Sequence, residues 1–176
     1  MFKSKKVKAS EEIISMCKEY LKSHNLGNRG FEDGTSERQL TGLIGEVLVY
    51  QYIKGELPDL KNKENGFDGG FDLEHKGSKI DVKTMGRNSY VRDFYVNNFY
   101  LIQEHYISDN IIFCSYHKRD KVLEICGWIA KDDLPKKGKF YKKGTTRVRD
   151  NGTSFVFRQS NYEVMNKFLE PIDAIK

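Results

Sequence analysis

The chain has no apolar stretch long enough to cross a bilayer, and its basic opening MFKSKKVKAS leads into a helical pattern with acidic residues rather than a hydrophobic signal core. A soluble, intracellular (cytoplasmic) protein is expected. Cysteine is scarce: Cys17, Cys114 and Cys126 are an odd number, with no CxxC pair and no histidine at zinc-ligand spacing. That argues against a zinc ribbon and a disulfide framework, and leaves three reduced, buried small hydrophobes. The four histidines, His24, His75, His105 and His117, lack HxH or HxxxH spacing, so none is assigned to catalysis. There is no internal repeat.

What is present suits one compact domain. The 176 residues are 38% hydrophobic, 12% aromatic and 31% charged, too rich in apolar side chains for disorder and long enough to bury a core. The net charge of +5 and a pI near 8.9 are compatible with a polyanionic partner and decide nothing alone.

Ile13, Ile14, Cys17, Tyr20 and Leu21 recur at helical spacing behind a Ser10 cap, which predicts a helix from Ser10 to Ser23. A second helix runs from near Ser36 to near Lys54, stopped by Gly55. Two runs, FDLEH and KIDVKT, then alternate apolar and charged residues in the manner of a hairpin. A helix is expected around Asn97 to Tyr106, central strands in NIIFCSYH and VLEICGWIA with Trp128 in the core, a short strand in SFVFRQ, and a closing helix from about Asn161 to Leu169. The order predicts an α/β or α+β fold, a sheet with helices against it, its core at about 36–130 and a C-terminal extension at 134–176. Lys3, Lys5, Lys6 and Lys8 read as a frayed tail.

The hairpin carries the chemistry. With Gly77 and Ser78 as a type II′ loop, Glu74 opposes Asp81 and Asp72 opposes Lys83, so Asp72, Glu74, Asp81 and Lys83 share one face. Phe71, Leu73, His75, Ile80, Val82 and Thr84 form the other, largely apolar face. Three carboxylates on one face repel one another unless a divalent cation binds among them, and hard oxygen ligands select Mg²⁺ or Mn²⁺. The plainer alternative is an edge hairpin that shows water a charged face. Glu46 weighs against it: within GLIGEVLVYQYI it shares a stripe with Leu43, Val49, Tyr50 and Ile53, where an unpaired carboxylate is costly. Gly42 and Gly45 would let that helix approach a neighbour closely. Otherwise Glu46 sits at the stripe's boundary and reaches solvent or a basic residue.

A GxxGE helix, then GFD, then an apolar-flanked DVK resembles the PD-(D/E)XK nuclease superfamily, whose core is a mixed sheet flanked by helices, over roughly Thr41 to Thr84. No proline precedes Asp72, and Asp68 in FDGGFD is a rival for the first aspartate. The resemblance implies a metal-dependent endonuclease of restriction-endonuclease-like fold, with Asp72, Asp81 and the Val82 carbonyl as ligands of Mg²⁺ (or Mn²⁺). It also implies Glu46 on a second metal or a metal-bound water, Lys83 beside the attacking water, and Glu74 farther out. DNA is the expected substrate with RNA left open, and dimers are common in the family.

The segment KKGKFYKKGTTRVR supplies a candidate phosphate-binding strip: Lys136, Lys137, Lys139, Lys142, Lys143, Arg147 and Arg149 surround Phe140 and Tyr141 with no acidic residue among them. A solvated loop with inward aromatics is the alternative. A nucleic-acid- or partner-binding module without turnover, and a small interaction domain in which the carboxylates are incidental, complete the competing functions.

Overall fold

A computed structural model describes residues 2–24, 35–60, 70–149 and 152–175. Asp68 lies outside them, as do most of the polar passages before the second helix and before the hairpin. Helix α1 spans Glu11–Ser23, and the Ser10 side chain accepts the Ile13 N–H at 3.2 Å. Helix α2 spans Ser36–Lys54, capped by Thr35 and ended at Gly55. Both follow the predicted bounds, because cap, apolar stripe and stop agree locally.

The chain is a mixed α+β fold in layers. Lys5–Lys8 (β1), Leu73–His75 (β2), Ser78–Arg87 (β3), Asn110–His117 (β5) and Val122–Ala130 (β6) form a five-stranded sheet of order β1-β6-β5-β3-β2. Strands β3 and β5 are parallel and the other pairs antiparallel. A second sheet joins Val96–Tyr100 (β4), Asn161–Met165 (β10) and Lys139–Tyr141 (β7) in the order β4-β10-β7. Thr146–Val148 (β8) and Ser154–Val156 (β9) form a separate two-stranded ribbon. A short third helix, α3, covers Leu134–Lys137.

Helices α1 and α2 cover one face of the main sheet, where Cys17, Leu43, Val47 and Leu48 pack on Ile80, Val82, Ile112 and Leu123. The small sheet covers the other, with Phe99 and Val164 against Ile111, Phe113 and Ile129. The two long helices therefore flank the main sheet on one side, and the small sheet with the short α3, through Leu134, covers the other.

Three local expectations are corrected. The 97–106 region is strand β4 followed by the 3₁₀ turn Leu101–Gln103. Asn97 and Phe99 alternate inward, and the Asn97 amide donates to Asn166 Oδ1 at 2.8 Å and Val164 O at 3.2 Å, pairing that no local propensity encodes. The closing segment is likewise strand β10 plus the 3₁₀ turn Asn166–Phe168, because it is the middle strand of the small sheet and bonds to both neighbours. The N-terminal lysines are no frayed tail: β1 pairs with β6, Val7 packs on the core, Lys5 lies 2.7 Å from Asp173 and Lys8 donates to Asp120 O at 2.6 Å. Edge lysines of this kind also discourage further strand addition.

The cysteines are buried and unpaired, as expected. Burial pushes the Cys17 and Cys126 thiols up to about 12, and Cys114 well above its ordinary value. Native protein at pH 8 should show no fast-reacting thiol towards a disulfide reagent and three after denaturation; one reactive thiol in the native state would contradict this burial. Since the folded pKa is raised, stability is unaffected below the unfolded value near 9. It declines as pH climbs from there towards 12, where only the unfolded chain ionises.

Candidate functional site

The β2–β3 turn fixes the site. The structure places Lys76 and Gly77 in the two loop positions, at φ 49° and 80°, and pairs His75 with Ser78, Glu74 with Lys79 and Leu73 with Ile80. This corrects the Gly77–Ser78 loop: with both central residues at positive φ the turn is of the I′ kind, whose twist matches the strands. The register slips by two residues, so opposite partners change while each side chain keeps its side. Asp81 and Lys83 still project together, and Ile80, Val82 and Thr84 still face the helices.

Asp81 is 5% exposed and is flanked on β5 by Ile111 on the same face. The Lys83 Nζ reaches both of its carboxylate oxygens at 2.7 Å, with the hydrogen bond aligned on Oδ1. Oδ2 is buried and has no aligned donor. Asp72 stands just before β2. Its N–H donates to Ile80 O at 2.8 Å and its Oδ2 accepts the Val82 N–H at 2.6 Å, so its carboxylate occupies the place where a longer β2 would have bonded. Among the described residues, no strand pairs with β3 on this flank from Asp81 onward. Glu74 is exposed and opposes Lys79.

Glu46 is half-buried on α2, the helix that covers the opposite, Val82 and Thr84, face of the sheet. Its charge acts on the Cys17 thiol of α1, reinforcing what burial does there. Glu46, Asp72 and Asp81 do not form a ready three-carboxylate cage: among the described residues no three His, Cys, Asp or Glu side chains converge as metal ligands. The smaller set fits Mg²⁺, which keeps several waters and needs only one or two carboxylates. Asp81 Oδ2 is buried and lacks an aligned donor, while the Asp72 carboxylate accepts the N–H of the next residue, Val82.

A residue that sequence reading passed over joins this corner. Lys131, in the 3₁₀ turn Lys131–Asp133 after β6, lies within electrostatic reach of Asp81 and Lys83. Burial lowers its ammonium from the usual value, partly countered by Asp81, Glu104 and Asp132. Nothing in IAKDD marks it, since its neighbours come from distant parts of the chain.

The basic segment is divided. Lys136 pairs with Asp133 at 3.1 Å, Lys137 with Glu170 at 3.1 Å and Arg147 with the buried Glu163 at 2.9 Å, so these three charges are balanced internally. Lys139, Lys142, Lys143 and Arg149 are exposed and make no ion pair among the described residues. Lys139 lies over Tyr141 and Arg149 over Phe155. Phe140 is 46% exposed, while Tyr141 stacks on Phe157.

A comparison with family models, curated proteins and solved structures finds no significant match. No helix among the described residues is long and apolar enough to span a membrane.

Proposed function

We propose that the chain is a divalent-metal-dependent nuclease of restriction-endonuclease-like build that hydrolyses phosphodiester bonds, with DNA as the substrate. The observation that carries this reading is the buried Asp81–Lys83 pair, two residues apart on one strand face, with the Asp72 carboxylate on the N–H of Val82 between them. The mixed sheet with a parallel β3–β5 pair and α2 laid across it is compatible with that build.

Asp81 and Asp72 would hold Mg²⁺ or Mn²⁺ with the Val82 carbonyl, and Glu46 would act through water. The bound ion supplies a lowered water pKa and neutralises charge at phosphorus. Lys83 orients the attacking water and offers its ammonium to the phosphate oxygens as charge develops. Asp81 keeps that ammonium pointed at the site. The exposed Lys139, Lys142, Lys143 and Arg149 bind the flanking backbone, and Phe140 offers a face for stacking.

A nucleic-acid-binding module without turnover is the second reading, favoured by the missing three-carboxylate cage. One experiment separates the two: incubation of purified protein with plasmid, single-stranded DNA and RNA, with Mg²⁺, Mn²⁺ or chelator. Metal-dependent cleavage supports the enzyme; a gel shift without cleavage supports the module. Under either reading Lys142→Glu/Lys143→Glu should weaken DNA binding about tenfold at low salt and flatten its log-log salt dependence by about two units. Lys136→Ala and Lys137→Ala should change it little. Equal effects from both pairs would remove the distinction between balanced and open charges.

A further inference from the structure

We propose that Lys131 is a second ammonium that contacts the phosphate of bound nucleic acid beside Asp81 and Lys83, an inference that rests on the nuclease site proposed above.

The argument starts from the sheet. Asp81 pairs across β3–β5 with Ile111, and Ile111 pairs across β5–β6 with Ile129, so the three make one row on the face turned from the helices. Lys131 follows Ile129 by two residues, and its own N–H donates to Asp109 O at 2.9 Å, which sets it one row along the same face from Asp81. Its side chain donates to the carbonyl of Tyr106, in the turn that follows the 3₁₀ segment Leu101–Gln103.

That carbonyl is a neutral partner for a half-buried charge. Among the described residues no carboxylate lies within ion-pair distance of Lys131, and the Asp81 carboxylate is already held by Lys83 at 2.7 Å. An ammonium has three donors, and this one commits a single N–H to a protein acceptor. A partly desolvated cation gains most from an anionic oxygen, because charge-assisted bonds are roughly twice as strong as neutral ones. A structural lysine would be expected to end on a carboxylate, whereas the protein acceptor of Lys131 is a neutral carbonyl. With a divalent ion on Asp72 and Asp81 the corner would carry Lys83, Lys131 and the metal as cations, the charge a phosphodiester requires. The same segment holds two buried donors without protein partners, Gln103 Nε2 and Ser108 Oγ, so its polar groups are not saturated by the fold.

The test uses the full chain and three variants, Lys131→Gln, Lys131→Ala and Lys131→Arg. Binding of a fluorescein-labelled DNA oligonucleotide is followed by anisotropy in Ca²⁺ as a non-cleaving ion, and cleavage in Mg²⁺. Lys131→Gln keeps a donor for the Tyr106 carbonyl while losing the charge, so a purely structural role predicts wild-type behaviour. A phosphate contact predicts a Kd raised about tenfold, a salt slope smaller by about one, and recovery in Lys131→Arg. Thermal unfolding shows whether Lys131→Ala folds; if it does not, the glutamine variant decides. Unchanged Kd and unchanged kcat/KM in folded Lys131→Gln overturn the inference and leave the nuclease reading standing. A Lys131-dependent Kd in a protein that cuts nothing keeps the phosphate contact and removes the nuclease. Wild type that neither binds nor cuts removes both.

Discussion

Asp81→Asn should lower kcat/KM for Mg²⁺-dependent DNA cleavage by at least about a hundredfold, because it removes the carboxylate that serves both the ion and Lys83. The change is nearly isosteric and Asp81 is buried against β5, so the strand should keep its place. Its cost in stability is expected at about 1–3 kcal/mol, since the amide leaves the mostly buried ammonium with one neutral acceptor in place of a charged one. Lys83→Met tests the same pair from the other side. It strands the buried carboxylate without its cation, so activity and stability should both fall. Wild-type cleavage by folded Asp81→Asn would end the assignment of this strand as the site. Glu46→Gln should have a smaller effect, because the helix bearing Glu46 covers the other face of the sheet.

How much of this was legible in the sequence follows from which interactions are local. Helices α1 and α2 were readable because Ser10, the apolar stripes and Gly55 all act within a few residues of the elements they define. Strands β5 and β6 were readable because they are almost wholly buried, and the sequence is correspondingly apolar. The Asn97 and Asn161 segments were not. Their character comes from each other, since Asn161 pairs with Tyr100 and donates through its amide to Asn98 Oδ1 at 2.9 Å. At the site, the period-two pattern put Asp81 and Lys83 together even though the turn was placed one residue late. A parity argument survives a slip of two. The division of the basic segment was invisible, because Asp133, Glu163 and Glu170, which balance Lys136, Arg147 and Lys137, lie outside it.

Gly45→Val should be among the most destabilising single substitutions in α2, and Gly42→Ala one of the few stabilising ones. Both glycines lie inside the helix, where alanine is preferred by about 1 kcal/mol. A Cβ on Gly42 would meet nothing within 4 Å, so Gly42→Ala should gain up to about that amount. A Cβ on Gly45 would stand 1.8 Å from Thr84 Oγ1 and 2.8 Å from Thr84 Cβ. Rotating the threonine relieves the first contact and not the second, because its Cβ is fixed by the backbone of β3. The helix must therefore lift off the sheet, at a cost of about 1–3 kcal/mol for alanine and more for the branched valine, which exceeds the helix-propensity gain. Urea unfolding reads both changes as shifts in midpoint at constant m-value. Thr84→Ala introduced into Gly45→Ala should recover part of the loss, a coupling expected only if the two side chains share one space. Because Thr84 follows Lys83 directly, a displaced β3 also moves the Asp81–Lys83 pair, so cleavage should fall in folded Gly45→Ala protein and recover in part with Thr84→Ala. Additive stability changes, or cleavage untouched by Gly45→Ala, would show that this contact between α2 and β3 does not set the position of the site.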